Sequence, residues 1–108
     1  MQVLTSEQQI KKCFDEYEIV IVYFSGSTCG ACQIIRKRLE QILHCYPDVK
    51  GVQIDAVQYP HIAAQYSVFS LPLFILFVKG KEIVRESKHV DLLEFEQRIL
   101  RYRAILKE

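Results

Sequence analysis

The most informative part of the chain is the run IVIVYFSGSTCGAC, which extends from Ile19 to Cys32. The segment Ile19–Phe24 is apolar without alternation, which is typical of a strand covered on both faces within a parallel sheet. Turn-forming residues follow from Ser25 to Thr28. A helix then begins near Cys29, so the run predicts a strand, a turn and a helix that carries two cysteines on its first turn.

The motif Cys29-Gly30-Ala31-Cys32 has the spacing that reversible thiol–disulfide exchange needs. Cysteines at i and i+3 on a helical turn fall within the Cα separation of roughly 4.4–6.8 Å that a disulfide tolerates. The unpaired N–H groups and the positive dipole end of a helix N-terminus favour a thiolate at the first cysteine. We therefore predict that Cys29 is the nucleophile and that Cys32, against the apolar stripe of the helix, is the buried resolving thiol.

Periodicity and turn residues predict the elements on either side of this run. The helix that begins near Cys29 extends to about Cys45, with apolar residues on one face and charged residues on the other. Lys79-Gly80 predicts a tight turn that joins two antiparallel strands. The other predicted segments are a helix from Ser6 to Phe14, strands Val49–Asp55, Leu73–Val78 and Lys81–Glu86, a helix Pro60–Tyr66, and a last helix that Asp91 caps and whose apolar stripe runs from Leu92 to Leu106. The order α-β-α-β-α-β-β-α predicts an α/β domain with a mixed sheet.

Composition and charge narrow the class of protein. The chain has 108 residues, 50% hydrophobic and 25% charged, which suits a single compact domain over residues 1–108. Its 14 basic and 13 acidic residues give a net charge of +1, which argues against a dedicated nucleic-acid binder. No apolar run approaches the roughly 20 residues of a membrane span, and the first residues lack the order of a secretory signal. We expect a monomeric cytoplasmic protein with no nucleic-acid or membrane partner.

The sequence resembles the thioredoxin family over essentially its whole length. The matching landmarks are Phe24 with Cys29-Gly30-Ala31-Cys32, Val52-Gln53-Ile54-Asp55 leading into Ala63-Ala64-Gln65-Tyr66-Ser67-Val68, Leu71-Pro72 ahead of Leu73 to Phe77, and Lys79-Gly80. The resemblance implies the thioredoxin fold, a three-layer α/β/α sandwich with a central mixed sheet of roughly four to five strands. It also implies that a cis peptide bond precedes Pro72 and that this turn faces the CxxC motif.

The same resemblance implies an activity and a set of contacts. We expect a thiol–disulfide oxidoreductase that reduces protein disulfides, with Cys29 and Cys32 as the catalytic pair. Its expected partners are disulfide-containing proteins and an upstream reductase or another dithiol donor. Because the cysteine pair is itself the redox centre, no organic cofactor or metal is expected. The residues expected to contact substrate are Thr28, Gly30, Ala31, Leu71 and Pro72.

Three active-site positions differ from the general family pattern. Thr28 replaces a tryptophan before the first cysteine, and Ala31 replaces a proline between the cysteines. Tyr23 stands on the strand where the family has a buried aspartate that assists the resolving thiol, so slow ionisation of Cys32 is predicted. Since the chain has no tryptophan, the apolar surface around the motif is expected from Val68, Phe69 and Leu71.

The cysteines and histidines also admit other interpretations. A zinc site needs four ligands, and no second CxxC motif or histidine pair at metal spacing follows the first. Cys13 and Cys45 fall on apolar helix faces and are interpreted as packing residues, with a regulatory disulfide or glutathionylation as the other option. Nothing in the sequence positions His61 as a base for Cys29. The alternative function is a non-catalytic thioredoxin-fold module that binds a partner or senses redox state.

Overall fold

The computed structural model describes residues 1–27 and 29–108 as alternating strands and helices. Over these residues there are five strands and four helices: β1 (Gln2–Val3), α1 (Glu7–Glu16), β2 (Ile19–Ser25), α2 (Gly30–His44), β3 (Val49–Asp55), α3 (Pro60–Gln65), β4 (Leu73–Val78), β5 (Lys81–Ser87) and α4 (Leu92–Leu106). Every predicted element is confirmed, with small shifts at the ends. The sequence does not predict β1, because two exposed residues carry no periodicity.

The strands form one mixed sheet in the order β1-β3-β2-β4-β5. The central position of β2, between parallel β3 and antiparallel β4, confirms what its unbroken apolar run predicts. Strand β1 extends the sheet beside β3, and β5 extends it beside β4. The β4–β5 hairpin closes through Lys79 and Gly80, whose φ angles of 52° and 77° are those of a tight hairpin turn.

The two faces of the sheet bury separate apolar clusters. One cluster lies beneath α1 and α3 and contains Ile10, Val22, Phe24, Val52, Ile54 and Ile62. The other lies beneath α2 and α4 and contains Ile21, Tyr23, Leu39, Phe74, Phe95 and Ile99. Helices on both faces of a mixed sheet confirm the three-layer α/β/α sandwich that the resemblance implies.

Side-chain caps set where two of the helices begin. The Ser6 hydroxyl accepts from the Gln9 N–H at 3.3 Å while the Gln9 side chain accepts from the Ser6 N–H at 3.2 Å, which is a reciprocal capping box. Asp91 accepts from the N–H groups of Leu93 and Glu94 and so caps α4 as predicted. Among the described helices, none has the length and apolar character that crossing a bilayer would need.

Helix α2 lies close to β3 at Gly51. A Cβ atom at this position would overlap with Leu43 Cδ1 and would lie 3.2 Å from Met1 Cγ. The Met1 side chain is only 1% exposed, and its ammonium group donates to Glu40 Oε2 at 2.8 Å. The first residue of the chain is therefore bound to α2 as well as to the sheet.

Candidate active site

The Cys29–Cys32 pair lies at the start of α2, directly after the central strand. The two cysteines form a disulfide with a Cα–Cα separation of 5.3 Å, which confirms the geometry expected from their spacing. Cys29 is the N-cap of α2, and its N–H donates to the Gly26 carbonyl at 3.2 Å. That bond closes the loop between β2 and α2 and fixes where the first sulfur lies.

The environments of the two sulfurs differ. Cys29 is half-buried, whereas Cys32 is only 3% exposed and packs into the apolar cluster beneath α2. The Cys29 sulfur accepts a hydrogen bond from the Cys32 N–H at 3.2 Å. That N–H belongs to the first turn of a 15-residue helix, so it and the helix dipole both stabilise negative charge on the Cys29 sulfur.

Tyr23 lies beneath the first turn of α2. Its side chain is fully buried against the Phe74 ring, with the ring centroids 6.1 Å apart. The hydroxyl donates a hydrogen bond to the backbone carbonyl of Cys32. Burial raises the pKa of Tyr23 to about 12, partly offset by the nearby Arg36 guanidinium. The phenol therefore keeps its proton at neutral pH and serves as a donor to the helix.

The turn before β4 contains the cis Leu71-Pro72 peptide bond that the family resemblance implies. Pro72 is buried and Leu71 is half-buried in the cluster that also includes Cys29. A Cβ atom at Gly26 would lie 3.2 Å from Leu71 Cδ1, so a small residue in the β2–α2 loop allows this turn to approach it. The fold therefore brings the Leu71-Pro72 turn to the same edge of the sheet as the cysteine pair.

The other residues expected to contact substrate have different exposures. Gly30 is exposed and Ala31 is half-buried on the first turn of α2. Thr28 lies outside the described residues. The expectation of an apolar surface from Val68, Phe69 and Leu71 is wrong for Val68, which is 6% exposed and belongs to the core beneath α3. Phe69 is 85% exposed, which fits that expectation.

Sequence reasoning did not identify Val57 as part of this region. Val57 is 64% exposed, and its Cγ2 would lie 3.0 Å from a Cβ atom at Gly26. Its position after the acidic end of β3 resembles an ordinary loop residue, so the sequence carried only a weak signal. Val57 and Leu71 thus both lie close to the β2–α2 loop at Gly26.

The remaining cysteines occupy two different environments. Cys13 is buried in the cluster beneath α1, as predicted, and burial raises the pKa of its thiol. The prediction that Cys45 packs on an apolar face is wrong, because α2 ends at His44 and Cys45 is exposed at its C-cap. His61 is exposed on α3.

The fold and this site together define a class of protein. The helix that follows the central strand begins with a CxxC disulfide. A turn with a cis proline lies at the same edge of the sheet. The family model described as Thioredoxin matches residues 1–100. The chain belongs to the thioredoxin family, and it is a thiol–disulfide oxidoreductase.

Individual thioredoxins align with most of the chain at moderate identity. Thioredoxin-like protein YdfQ of Bacillus subtilis is 29% identical over 101 residues, which is 94% of this chain and 90% of that protein. The structure of Fasciola hepatica thioredoxin is 30% identical with a TM-score of 0.82 and covers 91% of this chain and 98% of its own. A mutant thioredoxin from Halobacterium salinarum, at 21% identity, matches the fold with a TM-score of 0.85 over 94% of this chain and 88% of its own. The chain spans about half of two longer relatives, 47% of a thioredoxin from Pyricularia oryzae and 51% of one from Arabidopsis thaliana.

Proposed function

We propose that the protein reduces disulfides in other proteins, with Cys29 as the nucleophile and Cys32 as the resolving thiol. The observation that carries the proposal is the asymmetry of the pair. Cys29 is half-buried at the N-cap of α2, whereas Cys32 is 3% exposed. A substrate sulfur can reach the first thiol while the fold covers the second. The Cys32 N–H and the helix dipole favour the thiolate at Cys29.

The first step forms a mixed disulfide. The Cys29 thiolate of the reduced protein attacks one sulfur of the substrate disulfide. A bond forms between the Cys29 sulfur and that substrate sulfur while the substrate S–S bond breaks. The electron pair of the broken bond goes to the second substrate sulfur, which leaves as a thiolate and takes a proton from water.

The second step releases the reduced substrate. The Cys32 thiol loses its proton, and the resulting thiolate attacks the Cys29 sulfur. The Cys29–Cys32 disulfide forms, the bond from Cys29 to the substrate breaks, and the substrate sulfur that Cys29 first attacked leaves with the electron pair and takes up a proton. The substrate has gained two electrons and two protons, and the protein is left with the Cys29–Cys32 bond.

The substrate surface in this proposal surrounds Cys29. Gly30, Ala31, Leu71 and Pro72 would hold an extended substrate segment, and Thr28 is included through the family resemblance. The exposed side chains of Val57 and Phe69 add apolar area near the same edge. We therefore expect good substrates to carry aliphatic or aromatic residues next to the disulfide.

The proposed setting is the cytoplasm, where thiols are kept reduced. Each cycle leaves the pair oxidised, so an upstream reductase or dithiol donor must return two electrons. Residues 1–108 act in this proposal as a single monomeric domain. The cysteine pair is sufficient as the redox centre without a metal or an organic cofactor.

Cysteine-to-serine variants test the two roles. With a dithiol donor and a disulfide-linked fluorogenic peptide as substrate, Cys29→Ser should abolish turnover because the attacking sulfur is lost. Cys32→Ser should stop after the first step and accumulate the mixed disulfide, which mass spectrometry detects as a peptide adduct on Cys29. Cys45→Ser is the matched control, since that cysteine is exposed outside the pair, and it should turn over at the wild-type rate.

Two results would contradict the proposal. Turnover by Cys29→Ser, or an adduct on Cys45 instead of Cys29, would show that the attacking thiol lies elsewhere. A partner protein could also bind the Cys29→Ser, Cys32→Ser double variant as tightly as the wild type, with no turnover by either protein. The proposed reductase function would then be replaced by the alternative of a binding module.

A further inference from the structure

The sheet face beneath α2 changes from apolar to polar at the carboxyl ends of β2 and β3. The register pairs Tyr23 with Gln53 and Ser25 with Asp55. Because side chains alternate along a strand, these four residues lie on the same face, and Tyr23 belongs to the cluster beneath α2. Their neighbours Val22, Phe24, Val52 and Ile54 belong to the opposite cluster.

These polar residues line a cavity of about 270 Å³ between the sheet and α2. Cys32 and Arg36 line it from α2, and Gly26 from the loop that precedes Cys29. The exposed residues Ser27 and Gln58 also line it, so it communicates with solvent. Cys32, although only 3% exposed, therefore borders a cavity that is open to solvent.

The Gln53 side chain indicates that the cavity holds water. Its Oε1 atom is buried and has no hydrogen-bond partner among the described residues. Buried acceptors are almost always paired with a donor, and Gln53 lines the cavity. A volume of about 270 Å³ has room for several water molecules at roughly 30 Å³ each. Water donating to Gln53 Oε1 would satisfy that atom.

Three titratable side chains line the cavity together with Cys32: Tyr23 from β2, Arg36 from α2 and Asp55 from β3. Tyr23 keeps its own proton, because its pKa of about 12 is above that of an ordinary thiol at about 8.5. Arg36 is a permanent cation and accepts no proton. Of the described titratable groups that line the cavity, Asp55 alone is a carboxylate. Its Oδ1 is held by the N–H groups of Val57 and Gln58, at 2.9 and 3.1 Å.

We propose that Asp55, acting through water in this cavity, accepts the proton of Cys32 before Cys32 attacks the mixed disulfide. The inference rests on the resolving role of Cys32 in the proposed function. The S–H bond of Cys32 breaks, its proton passes through water to the Asp55 carboxylate, and the electron pair stays on sulfur for the new S–S bond. A carboxylate one strand away thus takes the role that Tyr23 cannot perform. The protonated Asp55 then returns its proton to solvent.

The test separates the two steps with a small aromatic disulfide whose released thiol is coloured. The first coloured thiol is released when Cys29 attacks the reagent, and the rate of this step is proportional to the reagent concentration. The second is released when Cys32 attacks the mixed disulfide, and the rate of that step does not depend on the reagent concentration. Asp55→Asn keeps an oxygen that can accept from Val57 and Gln58 but removes the base. Asp15→Asn, an exposed position on α1 at the opposite face of the sheet, is the charge-matched control.

We expect Asp55→Asn to slow the second release by about tenfold or more at neutral pH. This effect is smaller than the loss of a base in direct contact with the thiol would cause, because a water molecule lies between Asp55 and Cys32. The first release should match the wild type and Asp15→Asn. As the pH rises, hydroxide replaces the lost base, so the difference from the wild type should shrink. A purely structural defect would slow the second release equally at every pH.

The outcomes distinguish this inference from the proposed function. If the wild type releases only the first thiol, Cys32 does not resolve and both fail. If the second release in Asp55→Asn stays within about twofold of the wild type, or its loss does not depend on pH, only the role of Asp55 is refuted. Gln53→Leu leaves Asp55 intact but removes the acceptor for the cavity water. It should also slow the second release, and it decides the question if Asp55→Asn does not fold.

Discussion

Tyr23 shows how one side chain changes the chemistry beneath the CxxC helix. A carboxylate at this strand position would add a buried negative charge, whereas the phenol adds a neutral hydrogen-bond donor. Its hydroxyl bonds to the Cys32 carbonyl and so joins β2 to the first turn of α2. Tyr23 therefore connects two layers of the fold and does not accept a proton from Cys32.

Stability at high pH tests the burial of the Tyr23 hydroxyl. Burial raises the pKa of Tyr23 to about 12, against roughly 10 for an unfolded tyrosine. Below about pH 10 both states keep the proton, so Tyr23 adds no pH dependence to the free energy of unfolding. Above it the unfolded phenol loses its proton first, which destabilises the folded state by about 1 kcal/mol at about pH 11. Tyr23→Phe should lose less stability between these two pH values.

Urea denaturation of the oxidised protein at about pH 8 and about pH 11 measures this difference. Tyr46 and Tyr66, whose pKa values are also raised, are present in both proteins and cancel in the comparison. Tyr102→Phe, on α4, is the matched control and should behave as the wild type does. An equal loss of stability in Tyr23→Phe and the wild type would show that the Tyr23 hydroxyl ionises as freely in the folded state as in the unfolded state.

The close contact between α2 and β3 depends on glycine at position 51, which has no side chain. In Gly51→Ala, the new methyl group would overlap with Leu43 Cδ1, so α2 or Leu43 must shift. We expect a loss of about 1 kcal/mol in the free energy of unfolding. Leu43→Ala removes the overlapping atom, so adding Gly51→Ala to that background should cost clearly less.

A double-mutant cycle by urea denaturation measures this coupling. Gly30→Ala is the matched control, because nothing lies within 4 Å of a Cβ atom there. An equal cost of Gly51→Ala in the wild-type and Leu43→Ala backgrounds would contradict the close packing of α2 on β3.

Elements with a long apolar pattern could be predicted from the sequence, and short ones could not. Strand β2 is apolar throughout, and α4 has a stripe of four turns and a capping aspartate. Strand β1 has two exposed residues and forms only because β3 offers a free edge. The interpretation of Cys45 as a packing residue is wrong because it depends on one residue at a helix end, where periodicity is weakest.

Both edges of the sheet are poor surfaces for pairing with a second copy. Strand β1 is two residues long, and β5 carries Lys81, Glu82, Arg85 and Glu86. Short and charged edge strands oppose edge-to-edge association. The protein should therefore be monomeric in solution.

Small-angle scattering tests this expectation on Cys45→Ser, which removes the exposed thiol that could join two copies covalently. The Cα radius of gyration is 12.9 Å, and the measured value should lie within about 2 Å of it at every concentration. A value that rises towards about 17 Å, as for a compact chain of twice the length, would show a dimer.

The candidate site divides into a part that the sequence predicts and a part that needs the whole fold. Cys29 and Cys32 are recognisable because their spacing is local. The bond from Tyr23 to the Cys32 carbonyl joins two layers, and no spacing along the chain encodes it. Asp55 is a similar case, because its relation to Cys32 depends on the register between β2 and β3.

The buried start of the chain has a practical consequence for handling the protein. A purification tag or fluorescent label joined to the amino group of Met1 would convert the ammonium group into an amide and remove the charge opposite Glu40. Lys107 and Glu108, by contrast, are exposed beyond the last turn of α4. Tags for purification, immobilisation or imaging are therefore expected to disturb the packing of β1 and α2 less when they are attached near Lys107 and Glu108 than when they are attached at Met1.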